Sequence, residues 1–93
     1  MTQLSENEIR YRLDKLIGWY FLDNQILRDY QFKDFKEALV FVNKVGNEAE
    51  TMDHHPDILL YSWNKVKISI STHSEGGITE KDFLLAEKIE LLR

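Results

Sequence analysis

The stretch from Phe35 to Met52 constrains the fold of this chain more than any other feature. Phe35, Ala38, Leu39, Val42, Val45, Ala49 and Met52 recur at helical spacing and keep to one stripe. Asp34 and Glu37 open the segment with capping-box spacing. Gly46 is an internal weakness, and Pro56, the only proline, forces the end because proline disfavours helical geometry in the residue before it. A helix this long with one apolar face has to lay that face on a second layer. The rest of the sequence must supply it.

Two pairs of short segments do so. Trp19-Tyr20-Phe21-Leu22 and Gln25 to Phe32, separated by Asp23-Asn24, read as a hairpin of aromatic and branched residues. Ile58 to Trp63 and Val66 to Thr72 read as another, turning at Asn64-Lys65. In its second strand Val66, Ile68, Ile70 and Thr72 face one way, and Lys67, Ser69, Ser71 and His73 the other. Near the start, Ser5 and Glu8 have capping-box spacing and Leu4 and Ile9 staple spacing. Ile9, Leu13, Leu16 and Ile17 then predict a helix over roughly 5–17, with Gly18 as its stop. After a Glu75-Gly76-Gly77 loop, Thr79-Glu80-Lys81-Asp82 starts a last helix carrying Phe83, Ala86, Ile89 and Leu92. The order α-β-β-α-β-β-α predicts an α+β fold: a four-stranded, mainly antiparallel sheet with three helices packed on one face, residues 1–93 forming a single domain.

Composition narrows the chemistry. A chain of 93 residues leaves room for one core. The absence of cysteine excludes disulfides, thiolate zinc sites and cysteine nucleophiles, and fits a reducing cytoplasm. Sixteen acids against 12 bases give a net charge of −4, which argues against bulk binding of nucleic acid. No apolar run approaches the ~18–20 residues of a membrane span. The opening MTQLSENEIR has no hydrophobic region of the signal-peptide kind. There is no GxSxG, phosphate-binding glycine loop or zinc knuckle.

What remains is histidine. His54 and His55 stand where the long helix must stop, and His73 where a strand gives way to a glycine loop. Such element ends are where a rigid scaffold presents side chains to a ligand. Imidazole titrates near neutrality, so one ring can donate a proton while another accepts one. Glu50, four positions before His54, shares its helical face if the helix reaches that far, and Asp53 is adjacent. Two other readings stand beside this one. Paired histidines at a helix C-terminus can simply answer the helix dipole. A zinc site built from the histidines with Glu50 or Asp53 is the other, although no HExxH spacing supports it. Asp82, fourth in Thr79-x-x-Asp82, is favoured as a helix cap, and a cap can still border a site.

At these residues the sequence resembles the pterin-4a-carbinolamine dehydratases. The match runs Glu50-x-x-x-His54-His55-Pro56, an aromatic at Trp63, Ser71-Thr72-His73, then Asp82. Trp19, Phe32-x-x-Phe35, Asn64-Lys65-Val66 and Gly77-Ile78-Thr79 extend it over roughly 19–90. The resemblance implies a dehydratase that removes water from 4a-hydroxytetrahydropterins in tetrahydrobiopterin recycling, without a metal or redox cofactor. It implies His54 and His73 as the acid–base pair, with His55 positioning the pterin. Glu50 and Asp53 would orient the histidines or bind ring nitrogens, while Ser71 and Thr72 border the ring. Ser74, Lys81 and Asp82 complete the expected substrate contacts. Ser74 stands where an acid is frequent, with the acid displaced to Glu75, and Lys81 stands where arginine is common. The resemblance further implies a homodimer or homotetramer. Its alternative is a non-catalytic partner protein of the same fold, of the transcriptional-coactivator kind.

Overall fold

The computed structural model describes residues 2–92; Met1 and Arg93, the ends of the expected domain span, lie outside the described residues. The elements run α1 (Glu6–Leu13), β1 (Tyr20–Leu22), β2 (Gln25–Gln31), α2 (Phe35–Met52), β3 (Asp57–Tyr61), β4 (Lys65–Ile70) and α3 (Glu80–Glu90), with a three-residue 3-10 turn at His73–Glu75. The strands form one antiparallel sheet in the order β1-β2-β4-β3. This is the α+β architecture and the element order that the sequence predicts.

Register places Ile26 opposite Ile70 and Tyr30 opposite Val66, and sets Ile58 opposite Ile68. These side chains line the face that the helices cover. Ala38, Phe41 and Val45 of α2, Phe83, Leu85, Ala86 and Ile89 of α3, and Ile9 of α1 close the core over it. Each fully buried aliphatic or aromatic side chain contributes about 1.5–3 kcal/mol, and in a chain without disulfides this burial carries the stability. Asp29 and Leu59 on the opposite face are exposed. Among the described residues no helix is long and apolar enough to cross a membrane.

Three boundaries and one buried face differ from expectation. Helix α1 stops at Leu13, because Lys15 and Leu16 donate back only three residues, to Arg12 and Leu13, and tighten the chain into turns. Ile17 is consequently 84% exposed. Gly18 then takes φ 94°, with the Arg28 guanidinium packed where a Cβ would lie. In α2 the buried set is Ala38, Phe41, Val45 and Ala49, while Phe35 and Leu39 remain 50% and 43% exposed. The helix is rotated from the expected stripe so that the Phe41 ring packs against Tyr30 and Phe32, 4.7 and 4.9 Å away. The β3–β4 turn falls at Ser62 to Asn64, with Ser62 and Trp63 in left-handed geometry. Asn64 is recruited to the interior instead, donating its side-chain amide to Phe32 O at 2.8 Å. Strand β4 ends at Ile70, and beyond it Thr72 forms an isolated bridge with Gly77 across a small loop.

Candidate active site

The end of α2 decides where the paired histidines point. Asp53 caps the helix in left-handed geometry, φ 52°, a conformation that the short polar side chain of Asp tolerates. His54 N still donates to Ala49 O at 3.1 Å, which closes the turn. His54 ends up buried, at 9% exposure, and His55 on the surface. The expected partnership of Glu50 with His54 is therefore not what forms. Glu50 Oε2 pairs with His55 Nε2, both side chains being largely exposed.

His54 reaches instead across 28 residues of sequence, to Asp82: Nε2 lies 2.6 Å from Oδ1. Asp82 is completely buried, the third residue of α3. Its other oxygen, Oδ2, accepts from Thr79 N at 2.7 Å and from Thr72 Oγ1 at 2.8 Å. Thr72 has only one hydroxyl hydrogen and gives it to Asp82, so across their 2.8 Å contact Thr79 Oγ1 donates to Thr72 Oγ1, while itself accepting from Lys81 N at 3.3 Å. The donors therefore run in one direction, Lys81 N to Thr79 to Thr72 to Asp82. A carboxylate accepts only, so His54 Nε2 carries a hydrogen toward it and Nδ1 is left for other work. The capping box read at Thr79 and Asp82 is present, and the same aspartate holds a histidine.

His73 begins the 3-10 turn immediately after Thr72 and is exposed. The chain segment that carries it is thus tied, through Thr72 and Asp82, to the His54 ring. With Ser71 it lines a cavity of about 320 Å³, whose walls also include Asp23, Asn24, Gln25 and Asp57. His54 and His55 do not line that cavity. Thr72 is buried in the hydrogen-bonded network, Ser74 is exposed within the turn, and Lys81 is half-buried at the start of α3. Among the described residues no group of three or more His, Cys, Asp or Glu side chains is arranged to hold a metal ion.

Sequence reasoning left out Thr79, Asp57 and the β1–β2 turn as parts of this region. A signal for Thr79 was available in the capping box. Asp57 and Asn24 come together only through the strand order, which places the start of β3 and the β1–β2 turn at the same end of the sheet as the end of β4.

The family described as pterin 4 alpha carbinolamine dehydratase matches residues 2–92. A relative from Sulfolobus acidocaldarius is 47% identical over 98% of this chain and 99% of its own length. One from Sulfurisphaera tokodaii is 48% identical over 99% and 98%. Both are provisionally named pterin-4-alpha-carbinolamine dehydratases. A crystal structure of a transcriptional coactivator/pterin dehydratase from Brucella melitensis superposes with a TM-score of 0.92 at 36% identity, covering 98% of each chain. A pterin dehydratase-like protein identified as a RuBisCO assembly factor in the alpha-carboxysome shares the fold, with a TM-score of 0.64 at 16% identity over 80% of this chain and 84% of its own.

Proposed function

The chain belongs to the pterin 4 alpha carbinolamine dehydratase family, and on that premise we propose that it removes water from 4a-hydroxytetrahydropterins in the cytoplasm, as a step in tetrahydrobiopterin recycling. The C4a–O bond breaks, the N5 proton is lost, and a C4a=N5 double bond forms. Quinonoid dihydropterin and one water leave. The balance closes with proton transfers alone, so the proposal includes no metal and no redox cofactor.

His54 and His73 are the acid–base pair. One ring protonates the departing hydroxyl while the other takes the proton from N5. His54 has its Nε2–H committed to buried Asp82, so Nδ1 is the atom that exchanges a proton with substrate. His73 stands at a cavity of about 320 Å³, within the size range of small-molecule sites. His55 orients the pterin with Glu50 behind it; Asp53, Ser71, Ser74 and Lys81 border the substrate. Thr72 and Asp82 hold His54 from inside the fold.

The observation that carries this reading is the buried link from His54 through Asp82 to Thr72, the neighbour of His73. Its test is dehydration of a 4a-hydroxytetrahydropterin by folded His54→Ala and His73→Ala variants. General acid–base groups contribute about 10²–10⁴-fold, and losses of that size are expected. Full turnover by the single and the joint variants overturns the assignment.

One observation favours a second reading, a protein that works by docking. Phe35, Leu39 and Val40 of α2 are 50%, 43% and 46% exposed, and the Brucella relative is described as a coactivator as well as a dehydratase. Pterin binding followed by fluorescence separates the two. Binding supports the enzyme, and its absence at high micromolar pterin supports docking. We also propose a homodimer or homotetramer, for which sedimentation above the 11.1 kDa of one chain is the expected result.

A further inference from the structure

His73 rides on a loop that is closed on itself. Thr72 N donates to Gly77 O at 2.9 Å, Glu75 N to Thr72 O at 3.0 Å and Gly76 N to His73 O at 3.1 Å. All of these bonds are internal to the loop. They shape it without fixing its place against the sheet. The Thr72 hydroxyl ties one end of it to Asp82 and Thr79; the far side is held at one carbonyl, Gly76 O, where two side-chain amides from remote parts of the chain converge. Asn24 Nδ2, in the β1–β2 turn, donates to it at 2.6 Å, and Gln3 Nε2, ahead of α1, at 3.0 Å. A carbonyl oxygen has two lone pairs, so this one is fully used. Leu4 N extends the attachment by donating to Ile78 O at 2.7 Å. The Gln3 side chain lies where a Cβ on Gly77 would go, so the contact is close-packed as well as hydrogen-bonded.

We propose that Gln3 and Asn24 are positioning residues for catalysis, clamping the His73 loop through Gly76 O so that the imidazole is held at the cavity which Asn24 also lines. The proposal rests on the reading of His73 as an acid–base group. Neither amide takes part in proton transfer; each acts through the loop.

The substitutions that isolate the clamp are Gln3→Met, which keeps bulk over Gly77, and Asn24→Gly, which suits the left-handed backbone at φ 61° while removing the amide. Full-length chains carrying either or both are assayed for turnover of a 4a-hydroxytetrahydropterin, in the native background and with His73→Ala. Misplacement of a reacting group by about an ångström can cost about 100-fold; for the looser displacement here the double variant is expected to lose about tenfold in kcat with KM little changed. In the His73→Ala background the same pair should cost nothing further, since the ring it positions is gone. The His73 ring resonances should broaden or shift in the double variant. Unchanged kcat, a loss confined to KM, an undiminished further loss in the His73→Ala background, or unaltered ring resonances would each overturn the clamp. Full activity of His73→Ala itself removes the underlying reading and the clamp with it. A large loss at His73 without any effect of the two amides removes the clamp alone.

Discussion

His54 and His55 are neighbours in sequence, and each presents Nε2 to a carboxylate, yet the two pairs are physically unlike. His54 and Asp82 are 10% and 0% exposed in their side chains, and the aspartate is further held by Thr72 and Thr79. His55 and Glu50 are 56% and 77% exposed. The buried pair has one geometry available to it and fixes a tautomer. The exposed pair shares its charge with water and can rearrange around a ligand. One histidine is therefore suited to proton transfer at a set position and the other to adaptable contact, although both directly follow the left-handed residue, Asp53, that ends α2.

The comparison breaks most visibly at Asp82. Asp82→Ala leaves the His54 Nε2–H, Thr79 N–H and Thr72 hydroxyl without their acceptor inside the fold. A buried donor left unsatisfied costs about 1–3 kcal/mol, and a lost helix cap about 0.5–2 kcal/mol. These effects overlap, and a combined loss of about 3 kcal/mol or more is expected in denaturant unfolding. Asp82→Asn is the finer instrument, since it keeps the volume and one acceptor oxygen. It should retain much of the stability while lowering kcat by about 100-fold, within the range of general acid–base effects. Wild-type kcat in a folded Asp82→Asn protein would show that the buried pair serves structure alone.

The fold was legible in the sequence because its signals are local and mutually consistent. Capping boxes at Ser5, Asp34 and Thr79, alternation from Val66 to Ile70, and Pro56 each mark an element without reference to the others. The histidines and their neighbourhood were legible for the same reason. Their pairing was not. Glu50 lies at helical spacing from His54, and only the left-handed turn at Asp53, a tertiary choice, hands that carboxylate to His55. The bond from His54 to Asp82 joins the ends of two different helices, and no periodicity in one segment reports on another. The β3–β4 turn was misplaced for a related reason. Asn64 is a good turn residue by propensity, but its amide is worth more on the half-buried Phe32 carbonyl than in solvent.

Thr72→Val sharpens the comparison by weakening the buried pair without breaking it. The substitution preserves shape and deletes one donor to Asp82 Oδ2, while Thr79 N and His54 Nε2 remain. It also leaves the Thr79 hydroxyl hydrogen without its acceptor, while Lys81 N still donates to that oxygen. Loss of a hydrogen bond to a charged group is worth about 1.5–3 kcal/mol, so destabilisation of about 2 kcal/mol is expected by thermal or denaturant unfolding. Turnover should fall by less than in Asp82→Asn, because the carboxylate that sets the tautomer is still in place. A larger kinetic loss in Thr72→Val than in Asp82→Asn would reverse the ranking and make the hydroxyl, not the carboxylate, the important partner.

Glu50→Gln examines the exposed side. Solvent-exposed ion pairs contribute about 0–1 kcal/mol, and this contact, an ion pair when the His55 ring is protonated, joins two side chains that are mostly in water. The amide retains an oxygen that can accept from His55, so unfolding free energy should change by less than about 1 kcal/mol. If His55 positions the pterin, the effect belongs in KM, with kcat nearly unchanged, because the group lost orients a contact and transfers no proton. Added salt should erase part of the difference between wild type and variant, since exposed pairs are screened and buried ones are not. A kcat loss for Glu50→Gln as large as that for Asp82→Asn would mean that solvent exposure does not divide the two histidines, and that His55 shares the proton transfer assigned to His54.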